Sequence, residues 1–166
     1  MTADCGRAHT ASGRSIAFST FVIERTYEAT PARTFKAWTD PAAKARWFVG
    51  PAKWKQVERS LDFRVGGVER LVGEFPGGRT SAFTARYLDI VPDQRVVYVY
   101  DMHLTGTFIS SSLATVEFTA AGKGTRLRFT EQAAFVDGYD DDGSRERGTT
   151  LLLEQFGRYL ESLALT

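Results

Sequence analysis

The chain has 166 residues, a formal net charge of +1 and 43% hydrophobic residues. This length fits one domain with a sizeable core, and the composition is ordinary for a soluble globular protein. The small net charge predicts neither a nucleic-acid partner nor an anionic membrane surface. No apolar run approaches the roughly 20 residues that cross a bilayer, so we expect no membrane insertion.

Residues 1–15, MTADCGRAHTASGRS, are small, polar and without periodicity. They lack the apolar central region of a secretory signal, and we interpret them as a flexible leader that precedes a single domain over 16–166. The only cysteine, Cys5, lies in this leader and cannot form an internal disulfide. A lone cysteine favours a reducing, cytoplasmic setting.

The first element after the leader is a predicted strand over residues 16–29, IAFSTFVIERTYEA. Apolar and polar residues alternate for much of its length. Its apolar members are Phe18 and Val22, with Phe21 and Ile23 as further candidates.

Two short helices follow, because Thr30-Pro31 and Asp40-Pro41 each place an N-cap residue before a proline at the first helical position. The first helix is predicted from about Pro31 to Trp38, and the second from Pro41 to about Trp47. Neither is long enough to be stable alone, so we expect aromatic side chains to anchor them. The residues expected to face inward are Ala32, Phe35, Trp38, Ala43, Trp47 and Phe48, with Lys44 and Arg46 outside.

Strand patterns then dominate for some eighty residues, separated by glycine- and proline-containing turns. Six further strands are predicted over 54–65, 68–75, 79–91, 94–104, 111–120 and 125–135. In the first of these, Val57, Leu61 and Phe63 recur at period two. Strands joined by tight turns pair antiparallel with their neighbours.

A C-terminal helix is predicted from about Ser144 to Leu163, with Ser144 as a plausible N-cap. Its apolar residues lie at helical spacing and are Leu152, Phe156, Tyr159, Leu160 and Leu163. The expected fold is therefore α+β: a curved seven-stranded antiparallel sheet with this helix across its concave face. A curled sheet and a straight helix fit imperfectly, which predicts a cavity between them.

Four stretches of the chain resemble a known family: ATPARTFKAWTDPAAKARWF at 29–48, DFRVGG at 62–67, YLDIVPDQRVVYVY at 87–100 and GTRLRFTEQ at 124–132. They are similar to the helix-grip fold of the START-like (SRPBCC) superfamily, in the branch of activator of heat-shock-protein-ninety ATPase homologue 1-like proteins. The resemblance implies a ligand carrier, a polyketide cyclase or aromatase, or a co-chaperone. Many members carry Gly-Trp near the start of the last helix, whereas Thr149 follows Gly148 here, so we expect a wider cavity mouth.

Polar groups that point into the cavity are the candidates for chemistry. Glu131 shares a strand face with Leu127, Phe129, Ala133 and Phe135. A carboxylate facing an apolar cavity suits a general acid or base, which makes Glu131 a weak catalytic candidate. The alternative is that Glu131 accepts a hydrogen bond from a tyrosine or arginine, or lies in water near the mouth. The residues predicted to bind a ligand are Trp54, Phe83, Tyr98, Tyr100, Phe118, Phe129, Glu131 and Phe156.

Periodicity leaves one strand face undecided. Tyr98, Tyr100 and Met102 share one face of their strand, and the opposite face, which includes His103, is also largely apolar. If the tyrosine face is inward, two phenols can orient a ligand. His103 is interpreted as a surface or strand-end residue.

No metal or organic cofactor is predicted. The stretch DGYDDDG has a superficial likeness to a calcium loop, but its first ligand position falls on Gly138 and its bidentate position on Thr149. The stretch GEFPGGRTS lacks the lysine of a phosphate-binding loop and lies between strands. The sequence therefore favours binding of a small hydrophobic molecule, aromatic or lipid-like, over a cyclase-, aromatase- or hydrolase-like enzyme or a co-chaperone-like activator. A homodimer is compatible with the sequence.

Overall fold

A computed structural model describes residues 13–139 and 143–165, and within these ranges the chain forms seven strands and three helices. The predicted leader up to residue 12, with Cys5, and residues 140–142 of the acidic loop lie outside the described residues. The strands are β1 (Ile16–Tyr27), β2 (Lys55–Leu61), β3 (Val68–Glu74), β4 (Thr80–Val91), β5 (Arg95–Leu104), β6 (Thr107–Ala121) and β7 (Gly124–Val136). The helices are α1 (Pro31–Thr39), α2 (Pro41–Trp47) and α3 (Ser144–Ala164).

The strands form one antiparallel sheet in the order β1-β7-β6-β5-β4-β3-β2. Successive strands from β2 to β7 are neighbours, and β1 pairs with β7 along its whole length, from Ile16–Val136 to Tyr27–Thr125. The helices α1 and α2 follow β1, and α3 closes the chain. This is the predicted α+β helix-grip fold, which is confirmed.

Both predicted helix starts are confirmed by their caps. The Thr30 side chain accepts a hydrogen bond from the Arg33 amide at 3.3 Å, and the Asp40 side chain accepts one from the Ala43 amide at 2.9 Å. The start of α3 differs, because the N-cap is Gly143 at φ 92° and Ser144 is the first helical residue. Glycine reaches this left-handed conformation without the steric cost that a side chain brings.

The buried face of β1 is carried by Phe21 and Ile23, which are 8% and 5% exposed, whereas Phe18 and Val22 are 80% and 43% exposed. Of the four apolar residues identified in the sequence, the two named as further candidates are therefore the buried ones. The register explains it, because Ile23 pairs with Phe129 and directly opposed residues share a face of the sheet.

Two further expectations about buried positions need correction. Ala32 is exposed, and the buried polar residue of α1 is Thr34, whose hydroxyl donates to the Ala29 carbonyl at 3.3 Å. Val57 is 58% exposed because the pairing register of β2 shifts there, between Gln56 and Glu58. Such a bulge redirects a side chain away from the face that alternation predicts.

An aromatic cluster of Trp38, Trp47 and Phe156 joins α1 and α2 to α3. The Trp38 and Trp47 rings lie 4.7 Å apart, and the Phe156 ring lies 5.2 Å and 4.7 Å from them, respectively. The Trp47 indole also donates to the Ala37 carbonyl at 3.0 Å. These contacts confirm that tryptophan side chains anchor the two short helices.

A buried ion pair fixes α2 to the sheet, and it overturns the expectation that Lys44 faces outward. Its Nζ lies 2.7 Å from Glu69 Oε2, with side-chain exposures of 4% and 3%. The Tyr87 hydroxyl donates to the same oxygen at 2.6 Å. Lys44 and Trp47 are three residues apart and share a helix face, so the packing of Trp47 carries Lys44 inward with it.

We expect Lys44→Met to lower the free energy of unfolding by about 3–5 kcal/mol, because it leaves the Glu69 carboxylate buried without its cation. Urea unfolding followed by circular dichroism measures the change. The double variant Lys44→Met/Glu69→Gln should recover most of the loss. In the exposed Arg95–Asp89 pair, Arg95→Met should change stability by less than about 1 kcal/mol. Equal losses in the buried and exposed pairs would contradict this role for Lys44.

Candidate ligand-binding cavity

A cavity of about 640 Å³ lies between the sheet, the first half of α3 and residues 47–54. Aromatic and aliphatic side chains form most of its walls. The apolar lining residues include Trp54, Leu71, Phe75, Phe83, Met102, Ile109, Phe129, Phe135 and Leu152. Three charged side chains also line it, namely Lys44, Glu131 and Arg145.

Six of the eight residues predicted to bind a ligand line this cavity: Trp54, Phe83, Tyr98, Tyr100, Phe129 and Glu131. The other two, Phe118 and Phe156, lie in the packed core and contact Trp38 at ring distances of 6.3 Å and 5.2 Å. They belong to the filled part of the space between sheet and helices. Ligand contact by the six lining residues stays a prediction.

The tyrosine face of β5 is the inward one. Tyr98 and Tyr100 are buried, their rings lie 6.1 Å apart, and the Tyr100 ring lies 4.9 Å from Phe83. His103 falls on the outer face beside Phe108, with the rings 5.5 Å apart. The structure thus settles the face that periodicity left open.

Trp54 occupies a slot between two glycines. A Cβ added at Gly50 or at Gly73 would overlap its indole ring, so both backbones approach the ring closely. The indole nitrogen lies 3.5 Å from Ser81 Oγ. The ring is therefore a wall whose position the backbone fixes, which suits a flat aromatic surface for a ligand.

Glu131 is fully buried, and a single oxygen of its carboxylate takes all of its hydrogen bonds. Its Oε1 accepts from the Tyr100 hydroxyl at 2.6 Å, from Ser112 Oγ at 2.9 Å and from Arg145 Nη1 at 3.1 Å. The sequence left open that Glu131 accepts a hydrogen bond from a tyrosine or an arginine, and the structure shows that it accepts one from each. Its Oε2 has no partner among the described residues.

Ser110 and Ser112 share the inward face of β6, because they pair with Met102 and Tyr100 of β5. The pairing of β5 with β6 shifts between Met102 and His103, and Ile109 is the extra residue there, so Ile109 is buried next to Ser110. Ser110 Oγ accepts from Arg145 Nη2 at 2.7 Å. The guanidinium also lies over the Phe135 ring, 5.0 Å from its centre. Arg145 is therefore held by ionic, polar and aromatic contacts at once.

The electrostatics of this cluster keep its groups in defined states. Burial raises the pKa of the Tyr100 phenol, and the charge of Glu131 raises it further, while Arg145 acts in the opposite direction. Burial also raises the pKa of Tyr98 well above its ordinary range, with smaller contributions from Tyr100 and Glu131. Burial lowers the pKa of Arg145, but its electrostatic interactions and hydrogen bonds with Tyr100 and Glu131 outweigh burial, and the net shift is upward. Both phenols therefore stay neutral, and Arg145 stays charged, at ordinary pH.

Sequence reasoning missed Lys44, Glu69, Ser110, Ser112 and Arg145. All five carried a signal. Glu69 alternates with Leu71 on one face of β3, and Lys44 and Arg145 lie at helical spacing from Trp47 and Thr149. Ser110 and Ser112 alternate with Ala114 and Val116 on one face of β6, although Ser110 lies one residue before the predicted strand.

Two negative observations apply to residues 13–139 and 143–165. No helix there is both long and apolar enough to cross a membrane. No group of three histidine, cysteine, aspartate or glutamate side chains is close enough to hold a metal ion.

The fold and the cavity define a helix-grip protein, and comparison with known sequences places the chain in one family of that fold. The model of the activator of Hsp90 ATPase homolog 1-like protein family matches residues 28–163. The chain belongs to this family. No curated protein matches it.

Solved structures agree with this assignment. A protein from Rhizobium leguminosarum is 44% identical, with a TM-score of 0.87 over 91% of this chain and 99% of that chain. The Mll3558 protein from Rhizobium loti is 46% identical, with a TM-score of 0.81 over 87% and 99%. An AHSA1-like protein from Aeromonas hydrophila, 23% identical with a TM-score of 0.70 over 89% and 96%, shows likeness of fold alone.

We expect Gly73→Ala to displace the Trp54 ring, because the added methyl group would occupy the space of the indole. Tryptophan fluorescence should shift while the far-ultraviolet circular dichroism stays native. Val72→Ala is the matched control, since residue 72 precedes it in the same strand and points to the opposite face. An unchanged fluorescence spectrum in Gly73→Ala would show that the slot does not position Trp54.

Proposed function

We propose that the chain binds a small hydrophobic molecule, aromatic or lipid-like, in the cavity between the sheet and α3. The observation that carries this proposal is the cavity itself, about 640 Å³ in volume and walled by apolar side chains. This volume lies within the range of about 300–1,000 Å³ that is usual for small-molecule sites. A well-packed interior leaves few voids larger than a water molecule, so a space of this size calls for an occupant.

The construction of the walls supports a ligand with flat apolar faces. Trp54 is fixed between glycine backbones, and Phe83 packs against both Tyr100 and Phe48, at ring distances of 4.9 Å and 5.2 Å. Rings held in this way lose little freedom when a ligand arrives, so binding costs less conformational entropy.

The mouth of the cavity supports entry of a molecule of that size. Thr149 is 9% exposed and lines the cavity where many relatives are expected to carry tryptophan. A Cβ added at Gly148 would meet no atom within 4 Å, which shows that space is open beside the helix at this point.

A library of hydrophobic compounds, screened by thermal shift and native mass spectrometry, tests the proposal. We expect at least one compound to bind saturably, with one molecule per chain, and to raise the melting temperature. No saturable ligand from a broad library would count against the proposal.

Thr149→Trp should weaken every such ligand by at least about tenfold, because the indole would occupy the mouth. Glu154→Trp is the matched control, since residue 154 is exposed on the same helix and gains the same ring without reaching the cavity. Isothermal titration calorimetry on both variants makes the comparison. Equal affinity in the two variants would place the ligand elsewhere.

An enzyme of the cyclase, aromatase or hydrolase kind is a second candidate, favoured by Glu131 alone. The role open to a buried carboxylate that pairs with Arg145 and keeps one oxygen free is that of a proton acceptor. Incubating the bound compounds with the protein and analysing the products by mass spectrometry would reveal turnover. Glu131→Gln should then abolish turnover while binding persists.

The family description suggests activation of a chaperone ATPase as a third candidate. This role rests on the description, and no feature of residues 13–139 and 143–165 adds to it. An ATPase assay with the chaperone, with and without the chain, decides the matter.

A further inference from the structure

Three buried polar side-chain atoms have no hydrogen-bond partner within the described part of the chain: Trp38 Nε1, Glu131 Oε2 and Gln155 Oε1. All three residues line the cavity. Native proteins leave few such atoms unpaired, and each one calls for an explanation. Gln155 also lines a second, smaller pocket. Trp38 and Glu131 line the first cavity alone, which indicates that its occupant supplies their missing partners.

Glu131 gives the most specific information about that occupant. Its Oε1 is held by three donors, from Tyr100, Ser112 and Arg145, so the orientation of the carboxylate is fixed. The remaining oxygen, Oε2, can only accept a hydrogen bond. A ligand that satisfies it must therefore present a donor, and a hydrogen bond to a carboxylate is stronger than one between neutral groups.

The charges along the cavity argue that this donor belongs to an uncharged molecule. Each charged side chain in the described lining faces an opposite charge: Arg145 lies 3.1 Å from Glu131, and Lys44 lies 2.7 Å from Glu69. An additional ammonium or carboxylate group on a ligand would thus be desolvated next to pairs that are already balanced. Burying a charge without a counter-charge is strongly unfavourable.

We propose that the cavity selects an uncharged hydroxylated aromatic molecule whose hydroxyl group donates a hydrogen bond to Glu131 Oε2. This inference rests on the proposed binding function and names the chemical class of the ligand. The aromatic walls contact the ring system of the ligand, and Glu131 accepts a hydrogen bond from its hydroxyl group. Arg145 acts as a positioning residue, because it holds Oε1 and so directs Oε2 to the ligand.

Three matched probes test the proposal: 4-phenylphenol, its methyl ether 4-methoxybiphenyl, and biphenyl. Calorimetry or competition with a fluorescent probe gives their affinities for the full chain. The phenol should bind at least about tenfold more tightly than the ether, because the ether cannot donate to Oε2. The charged analogue biphenyl-4-carboxylate should bind at least about tenfold more weakly than the phenol.

Glu131→Gln provides a sharper test because it should turn an acceptor into a donor. Arg145 only donates, so the amide oxygen must take the place of Oε1 and the amide NH2 group must take the place of Oε2. The preference for the phenol over the ether should then fall to within about threefold. Glu117→Gln is the matched control, since residue 117 is exposed on β6, and it should keep the preference.

The outcomes distinguish failure of the proposed binding function from failure of the inferred ligand class. If none of the neutral probes binds saturably, the proposed function and this inference fail together. If the probes bind but the phenol and the ether do so equally, or if Glu131→Gln keeps the preference, the binding function stands and the inference is overturned. Should Glu131→Gln fail to fold, Glu131→Asp keeps the charge but withdraws the carboxylate by one methylene group, and it should lose the preference in the same way.

Discussion

The contact of Phe156 with Trp38 and Trp47 determines how the concave side of the sheet is divided. These three rings lie within about van der Waals reach of one another and fill the space under the middle of α3. They also bring α1 and α2, which are too short to persist alone, against the sheet. Because the cluster holds the helix at that point, the first half of α3 stands over a hollow, and the cavity is a consequence of where the aromatic packing ends.

Polar groups in that hollow obey a second constraint, which is that buried charge must be balanced. Two ion pairs balance the buried charges, and each pair joins a helix to a strand. Lys44 of α2 pairs with Glu69 of β3, and Arg145 of α3 pairs with Glu131 of β7. The cost of burying four charged groups is offset by hydrogen bonds from tyrosine and serine hydroxyls around them. The result is an apolar space with polar atoms at fixed places on its wall, an arrangement suited to recognising one chemical group on an oily molecule.

The order of elements, both helix caps and the inward direction of Glu131 could be predicted from the sequence, because turn residues and alternation are local signals. The face of β1 could not, since apolar residues stand on both sides of it and only the pairing with β7 decides between Phe18 and Phe21. Lys44 was predicted to face outward because a charged side chain usually lies at the surface, whereas its spacing of three residues from Trp47 places it on the buried face of α2. The network around Glu131 was out of reach, because it depends on how β5, β6 and β7 pair and on the direction in which the Arg145 side chain leaves α3.

The same two ion pairs limit the routes into the cavity. Neither α2 nor α3 can move away from the sheet without separating opposite charges in a poorly hydrated environment, and that separation is strongly unfavourable. Pro51, Leu104 and Leu151 line the cavity and lie at the surface, where they form an apolar rim. An apolar molecule that entered from water would contact this rim first, between two helices whose positions relative to the sheet the ion pairs hold.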